Sequence, residues 1–258
     1  TGQCPLLEGS RAILAPAGPE VLMMAVECES GRIVWKTPNP HEWKMTHASV
    51  VPMTFAGQRM YVYVGSNPAT GAGGVVGVSA EDGRIVWETE AWKVKVATAS
   101  PVPIAEDRLL LCAGYGAGAM MLGLKNASEQ VTAYTVFTRT ARELGSEQHT
   151  PVFHKGYIYA MNPDGQMVCL TADGERKWAS GATRRFNSGP YLIAQDIIYV
   201  MNDAGVLTLL EATPEAYRQL AQHKVLDGRE SWGPLALVAG RLLARDLSRI
   251  VCLDVSRR

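Results

Sequence analysis

The pentapeptide GRIVW occupies residues 31–35 and recurs at 83–87, 52 positions later. A looser copy, GERKW, lies at 174–178. Upstream of each copy is a second marker, in which small polar residues precede a Pro or Val that opens an apolar stretch. It takes the forms CPLL, ASVVP, ASPVPI, TPVF, SGPYLI and WGPLAL. Its reference positions, Pro5, Val50, Pro101, Pro151, Pro190 and Pro234, are separated by 45, 51, 50, 39 and 44 residues. Self-similarity at a period of about 46 residues demands a repeat architecture in which each unit is a supersecondary element that buries its apolar face against the next.

The unit at 150–178 shows the content of one repeat. TPVFHKGYIYAMNPDGQMVCLTADGERKW contains four short runs, PVF, YIYAM, QMVCL and ERKW, separated by HKG, NPDG and ADG. The runs have strand composition and the separators are Gly and Asp-Gly turn signals. No separator has room for a crossover helix, so the strands pair antiparallel. Four-stranded antiparallel units at this spacing predict an all-β chain folded as a β-propeller. The blades are expected at approximately 3–40, 47–93, 98–140, 149–181, 187–228 and 232–258, within a single domain spanning 1–258. In the first, second and fourth, Gly31, Gly83 and Gly174 turn into the outermost strand, where Trp35, Trp87 and Trp178 wedge against the neighbouring blade. One helix is expected, at 212–222 (ATPEAYRQLAQ), with Thr213 as N-cap, Pro214 in the first helical position and Glu215 in the first turn.

The last unit reaches only its third strand, IVCLDV, so the count is five complete blades plus three strands of a sixth. That count, with a chain opening at Thr1 without an initiator Met, predicts a piece of a seven- or eight-bladed ring.

The stretches AVECESGRIVW, GVSAEDGRIVW, CLTADGERKW and RIVCLDV resemble the pyrroloquinoline quinone-like (PQQ-like) repeat. The likeness covers nearly the whole chain and is greatest to the bacterial propeller group that includes the lipoprotein of the outer-membrane β-barrel assembly machinery. The resemblance implies a periplasmic or otherwise extracytoplasmic protein that binds protein, peptide or small-ligand partners without catalysis. It also raises a second function, that of a PQQ-dependent quinoprotein oxidoreductase acting on alcohols or sugars. Such enzymes hold the quinone with a stacked Trp, a disulfide between adjacent cysteines, and calcium. Here Cys4, Cys28, Cys112, Cys169 and Cys252 include no adjacent pair, and no Asp-rich calcium loop occurs, so neither PQQ nor Ca2+ is expected.

Composition restricts other functions. A chain that is 47% hydrophobic and 19% charged is built to pack rather than stay disordered. Lys+Arg and Asp+Glu both number 25, so no net field favours nucleic acid. No apolar run approaches the length of a transmembrane segment. Four of the five cysteines sit in apolar strand-like runs and are expected to be small buried hydrophobes. The five histidines show no local zinc spacing. GYGAGAM at 114–120 is followed by no helix and reads as a glycine-rich loop, not a dinucleotide fingerprint. There is no nucleophile elbow and no evident catalytic carboxylate pair, and no metal or catalytic residue is assigned. The basic cluster ATRRF at 182–186 has two readings, a solvated loop or a phosphate site, the former preferred.

Residues in one phase of a propeller lie on one ring about its axis, and polar groups recur where each innermost strand opens. These are His47 and Ser49, Thr98 and Ser100, His149 and Thr150, Asn187 and Ser188, and then Trp232, with Arg245 and Asp246 in the next turn. They are candidates for a polar channel rim that receives a peptide or small ligand; the alternative is that they cap strand ends.

Overall fold

The computed structural model describes residues 2–127, 130–228 and 230–256. Its described residues form 23 strands, β1 to β23, and no helix. The strands make five four-stranded antiparallel sheets and one three-stranded sheet, each ordered by sequence. Thr1–Thr150 and Pro151–Arg258 are two compact units.

The first unit holds three blades. They are β1 to β4 (Leu6–Glu8, Arg11–Leu14, Val21–Glu27, Ile33–Pro38), β5 to β8 (Val51–Phe55, Gln58–Asn67, Ala72–Ser79, Ile85–Thr89) and β9 to β12 (Val102–Ala105, Arg108–Ala113, Gly118–Ala127, Gln130–Arg139). The second holds β13 to β16 (Val152–His154, Tyr157–Met161, Met167–Thr171, Arg176–Ala179), β17 to β20 (Tyr191–Ala194, Ile197–Met201, Val206–Glu211, Gln219–Lys224) and the three-stranded β21 to β23 (Ala236–Val238, Arg241–Arg245, Ile250–Asp254).

β6, β7 and β18 carry nearly continuous apolar runs because alternate residues of each pack into layers on its two faces. Between the first and second blades lie Ile13, Leu22, Met23, Trp35, Tyr61, Tyr63, Val76 and Val78. Between the second and third lie Met53, Met60, Val62, Trp87, Leu109, Leu111 and Leu122. In the second unit Tyr159, Cys169, Trp178, Ile198, Val200 and Leu210 fill the first of the two layers, and Tyr199, Met201, Leu207, Leu242 and Ala244 the other. Burial of these apolar surfaces is what couples one blade to the next.

The repeated pentapeptide explains its own recurrence. Gly31 and Gly83 both have positive φ, 70° and 77°, as the turn into the outer strand requires. Trp35 of the first copy lies against Gly83 of the second: a Cβ at Gly83 would sit 2.6 Å from Trp35 Cε3. Around this contact the Trp35 indole N–H donates to Ala80 O at 3.3 Å, and the buried Thr37 hydroxyl donates to Gly83 O at 2.8 Å. Trp178 repeats the theme, donating to Thr213 O at 2.7 Å. Beside this contact, with the Tyr61 ring centroid 6.1 Å from that of Trp35, Glu8 accepts from Arg59 and from the Tyr61 hydroxyl. The Tyr61 hydrogen bond is the main cause that holds the Glu8 carboxyl below its ordinary range.

Two expectations are corrected. Residues 212–222 form no helix: Thr213–Tyr217 is irregular, and Gln219–Lys224 is β20, paired with β19 through Leu210↔Gln219 to Val206↔Lys224. Thr213 does act locally as a cap, accepting from Glu215 N at 3.4 Å, but the turn closes with Glu211 N donating to Arg218 O at 3.0 Å. The ladder offered by β19 overrides the local helix signal. The second correction concerns the cysteines. Cys112 and Cys169 are buried, whereas Cys4, Cys28 and Cys252 are exposed; all five are free thiols. Cys252 lies on β23, the edge strand of its three-stranded sheet. The GYGAGAM segment is a tight turn between β10 and β11, closed by Ala117 N donating to Gly114 O at 3.1 Å.

Candidate functional site

The recurring polar positions lie on the connections into the innermost strands. In the first unit they form a relay from blade to blade. Cys4 N donates to Ser49 Oγ at 3.0 Å, Ser49 N to Ser100 Oγ at 2.9 Å, and Ser100 N to Thr150 Oγ1 at 3.0 Å. Each hydroxyl thus caps the matching backbone N–H of the preceding unit, which gives the recurrence a structural purpose. Thr98 continues the pattern by donating its hydroxyl to Glu147 O at 2.6 Å. His47 is exposed, its amide donating to Ala97 O at 3.0 Å and its ring facing Gly2. The carbonyl of His149 accepts the Ser146 hydroxyl.

In the second unit Gly189 and Gly233 occupy the phase of those hydroxyls, Gly189 against backbone and Gly233 against the Arg245 side chain. A Cβ at Gly189 would meet Met201 O at 2.0 Å, and one at Gly233 would meet Arg245 Cγ and Nε at 2.6 Å. Here the connecting group is Asp203, in the turn between β18 and β19. Its Oδ1 accepts from Ser188 N at 3.1 Å and from the Trp232 indole N–H at 2.9 Å. The bond fixes the ring of a tryptophan that is 44% exposed. Arg245, also exposed, lies over Gly233, the residue next to Trp232. Asn187, at φ 53°, stands with its side-chain oxygen against Gly165.

Asp246 turns away from this group. Its carboxylate accepts from Ser248 N at 2.8 Å, Arg249 N at 2.7 Å and Gly228 N at 2.9 Å. These backbone donors, Ser248 first, hold its carboxyl below the ordinary range, and the side chain closes a turn. Ser188 and Trp232 are therefore grouped on Asp203, which the sequence does not single out, while Arg245 lies against the adjoining Gly233. The one signal for Asp203 was the correspondence of Asn202-Asp203-Ala204-Gly205 with Asn162-Pro163-Asp164-Gly165 in the preceding blade.

No three His, Cys, Asp or Glu side chains converge as a metal-holding group among the described residues, and the free cysteines include no adjacent pair. What the grouping in the second unit presents instead is a rigid aromatic surface beside a guanidinium and a carboxylate, a chemistry suited to binding.

The family described as outer membrane protein assembly factor BamB matches residues 2–219. The chain matches no curated protein sequence. Among solved structures, BamB from Moraxella catarrhalis is similar at TM-score 0.65 and 16% identity, over 96% of this chain and 67% of that one. The computationally designed Ika8 protein is similar at TM-score 0.65 and 11% identity, over 93% and 66%. AztD from Citrobacter koseri is similar at TM-score 0.61 and 13% identity, over 98% and 68%. At these identities the likeness is one of fold, and the chain spans about two thirds of each structure's length.

Proposed function

The chain belongs to the outer membrane protein assembly factor BamB family, and from that premise we propose that it is a non-catalytic, extracytoplasmic β-propeller scaffold for a protein or peptide partner. The observation that carries the reading is Trp232, 44% exposed yet fixed by Asp203 and flanked by Arg245. Tryptophan and arginine dominate the energetics of protein interfaces, and a pre-ordered ring loses little entropy on binding. The family description supplies the setting, in which the partner belongs to the assembly of outer-membrane proteins. No cofactor enters the proposal.

The test is genetic and biochemical. In the bacterium that carries the gene, deletion is expected to lower the amount of correctly assembled outer-membrane β-barrels. The double substitution Trp232→Ala, Arg245→Ala is expected to reproduce the defect while the protein accumulates at its usual level. Normal β-barrel levels in the double variant would overturn the assignment of the partner site to Trp232.

A further inference from the structure

The basic cluster at 182–186 lies in the connection between β16 and β17, within the second unit, and borders a polar pocket of about 220 Å3. Its walls include Arg184, Arg185, Asn202, Tyr217, Gln219 and Gln222, with the buried Thr208 among them. No carboxylate lines it. Arg218, Arg241 and Arg249 of the same unit are each paired with a carboxylate: Glu211 and Glu215, Asp254, and Asp227 respectively. Arg184 and Arg185 have no carboxylate partner among the described residues, so two cationic groups meet at a concavity whose other polar walls are amides and hydroxyls.

The segment that presents them is held at successive residues. Arg184 N donates to Gly181 O at 3.0 Å, Arg184 O accepts the Ser180 hydroxyl at 2.6 Å, and Phe186 N donates to Gly165 O at 2.7 Å. Arg185 forms a β-bridge with Gln166. The Arg184 guanidinium lies over the Tyr217 ring, 5.3 Å from its centroid. Stacking occupies the face of the guanidinium and leaves its N–H groups, which lie in the plane of the group, available to an anion. Gln219 and Gln222 are placed by hydrogen bonds, to the Tyr217 hydroxyl at 3.2 Å and to the Thr208 hydroxyl at 3.3 Å.

We propose that this pocket binds a small phosphate-bearing ligand, with Arg184 and Arg185 on the phosphate oxygens and Asn202, Gln219 and Gln222 toward the remainder of the molecule. Two guanidinium forks side by side each present paired donors, and the three oxygens of a phosphate can serve both where the two of a carboxylate match one fork. The volume is below the roughly 300–1,000 Å3 of pockets for drug-sized ligands, which restricts the occupant to a phosphate with a short polar substituent.

Calorimetric titration of the purified protein with inorganic phosphate, glycerol 3-phosphate, glycerol and acetate tests the proposal. Both phosphates are expected to bind. Tighter binding of glycerol 3-phosphate would identify an ester as the physiological form, and equal binding the free ion. Each arginine replaced, in Arg184→Gln and Arg185→Gln, is expected to weaken phosphate binding by about tenfold or more, the effect of losing a hydrogen bond to a charged group. Arg185→Gln leaves the Tyr217 stack in place and so remains informative if Arg184→Gln unfolds, while Arg218→Gln is expected to bind as the unaltered protein does. Failure of both phosphates to bind at millimolar concentration, equal binding of glycerol or acetate, or an undiminished affinity in folded Arg185→Gln would overturn it.

Discussion

Substituting alanine for the glycine of each GRIVW copy separates two demands that the motif makes in one residue type. Gly31 and Gly83 sit at similar positive φ, so alanine at either meets the left-handed penalty of about 1 kcal/mol. At Gly31 nothing lies within 4 Å of the added Cβ, and that penalty is the whole expected cost. At Gly83 the Cβ would lie 2.6 Å from Trp35 Cε3 and 2.7 Å from Cδ2, closer than any relaxed carbon contact, and Trp35 is confined by the layer between two blades. Overpacking of this kind adds about 1–3 kcal/mol, so Gly83→Ala is expected to cost about 2–4 kcal/mol in all. Urea unfolding followed by far-ultraviolet circular dichroism measures both values. The contact itself is isolated by repeating Gly83→Ala in a Trp35→Ala background, where its cost is expected to fall to that of Gly31→Ala. Equal costs at 31 and 83, or a cost at 83 that is indifferent to Trp35, would refute the idea that the two copies pack on one another.

Ser100→Ala removes the acceptor of the Ser49 amide, so stability is expected to fall by about 1–2 kcal/mol and hydrogen exchange at Ser49 to accelerate, whereas Ser100→Thr retains the hydroxyl and most of the stability. Asp196 bonds Lys155 Nζ at 2.6 Å and His154 Nε2 at 2.7 Å, and these partners, Lys155 first, hold its carboxyl below the ordinary range. A depressed carboxyl contributes stability above its unfolded pKa of about 3.9 and loses it as pH falls through the folded value. Asp196→Asn is therefore expected to be less stable than the unaltered protein at neutral pH and indistinguishable from it in strong acid, as read from melting temperatures across pH. Finally, burial pushes the Cys169 thiol up to about 11 and Cys112 higher still, so a thiol reagent is expected to modify Cys4, Cys28 and Cys252 in the folded protein and the other two only on unfolding.

The blade plan was legible in the sequence because it rests on local chemistry. Gly and Asp-Gly turns, apolar runs of strand length and a tryptophan in fixed phase each act within a few residues, and all four strands of the β13 to β16 blade fall where the runs placed them. β20 was not legible. Its residues are exposed throughout, so it carries no burial pattern, and the preceding Thr213-Pro214-Glu215 is chemically a good helix start. Only its pairing with β19, a tertiary fact, identifies it as a strand. The polar recurrence at Ser49, Ser100 and Thr150 was visible as a pattern, but whether hydroxyls face a partner or cap a backbone is decided by geometry across 45 to 51 residues. Asp203 was hidden because a turn aspartate looks the same whether or not an indole reaches it. Arg184 and Arg185 are legible in the sequence as a basic cluster with a phosphate site as its second reading, but their place at a cavity that no carboxylate lines is a tertiary fact.

The central claim is that partner binding is centred on Trp232. Incorporation of a photo-crosslinking phenylalanine analogue at position 232, followed by irradiation of living cells, tests it most directly. The control is the same analogue at Leu220, which is 55% exposed on β20 of the same unit. A discrete protein adduct is expected from position 232 and none from position 220. Adducts that are absent at 232, or the same at both positions, would contradict it.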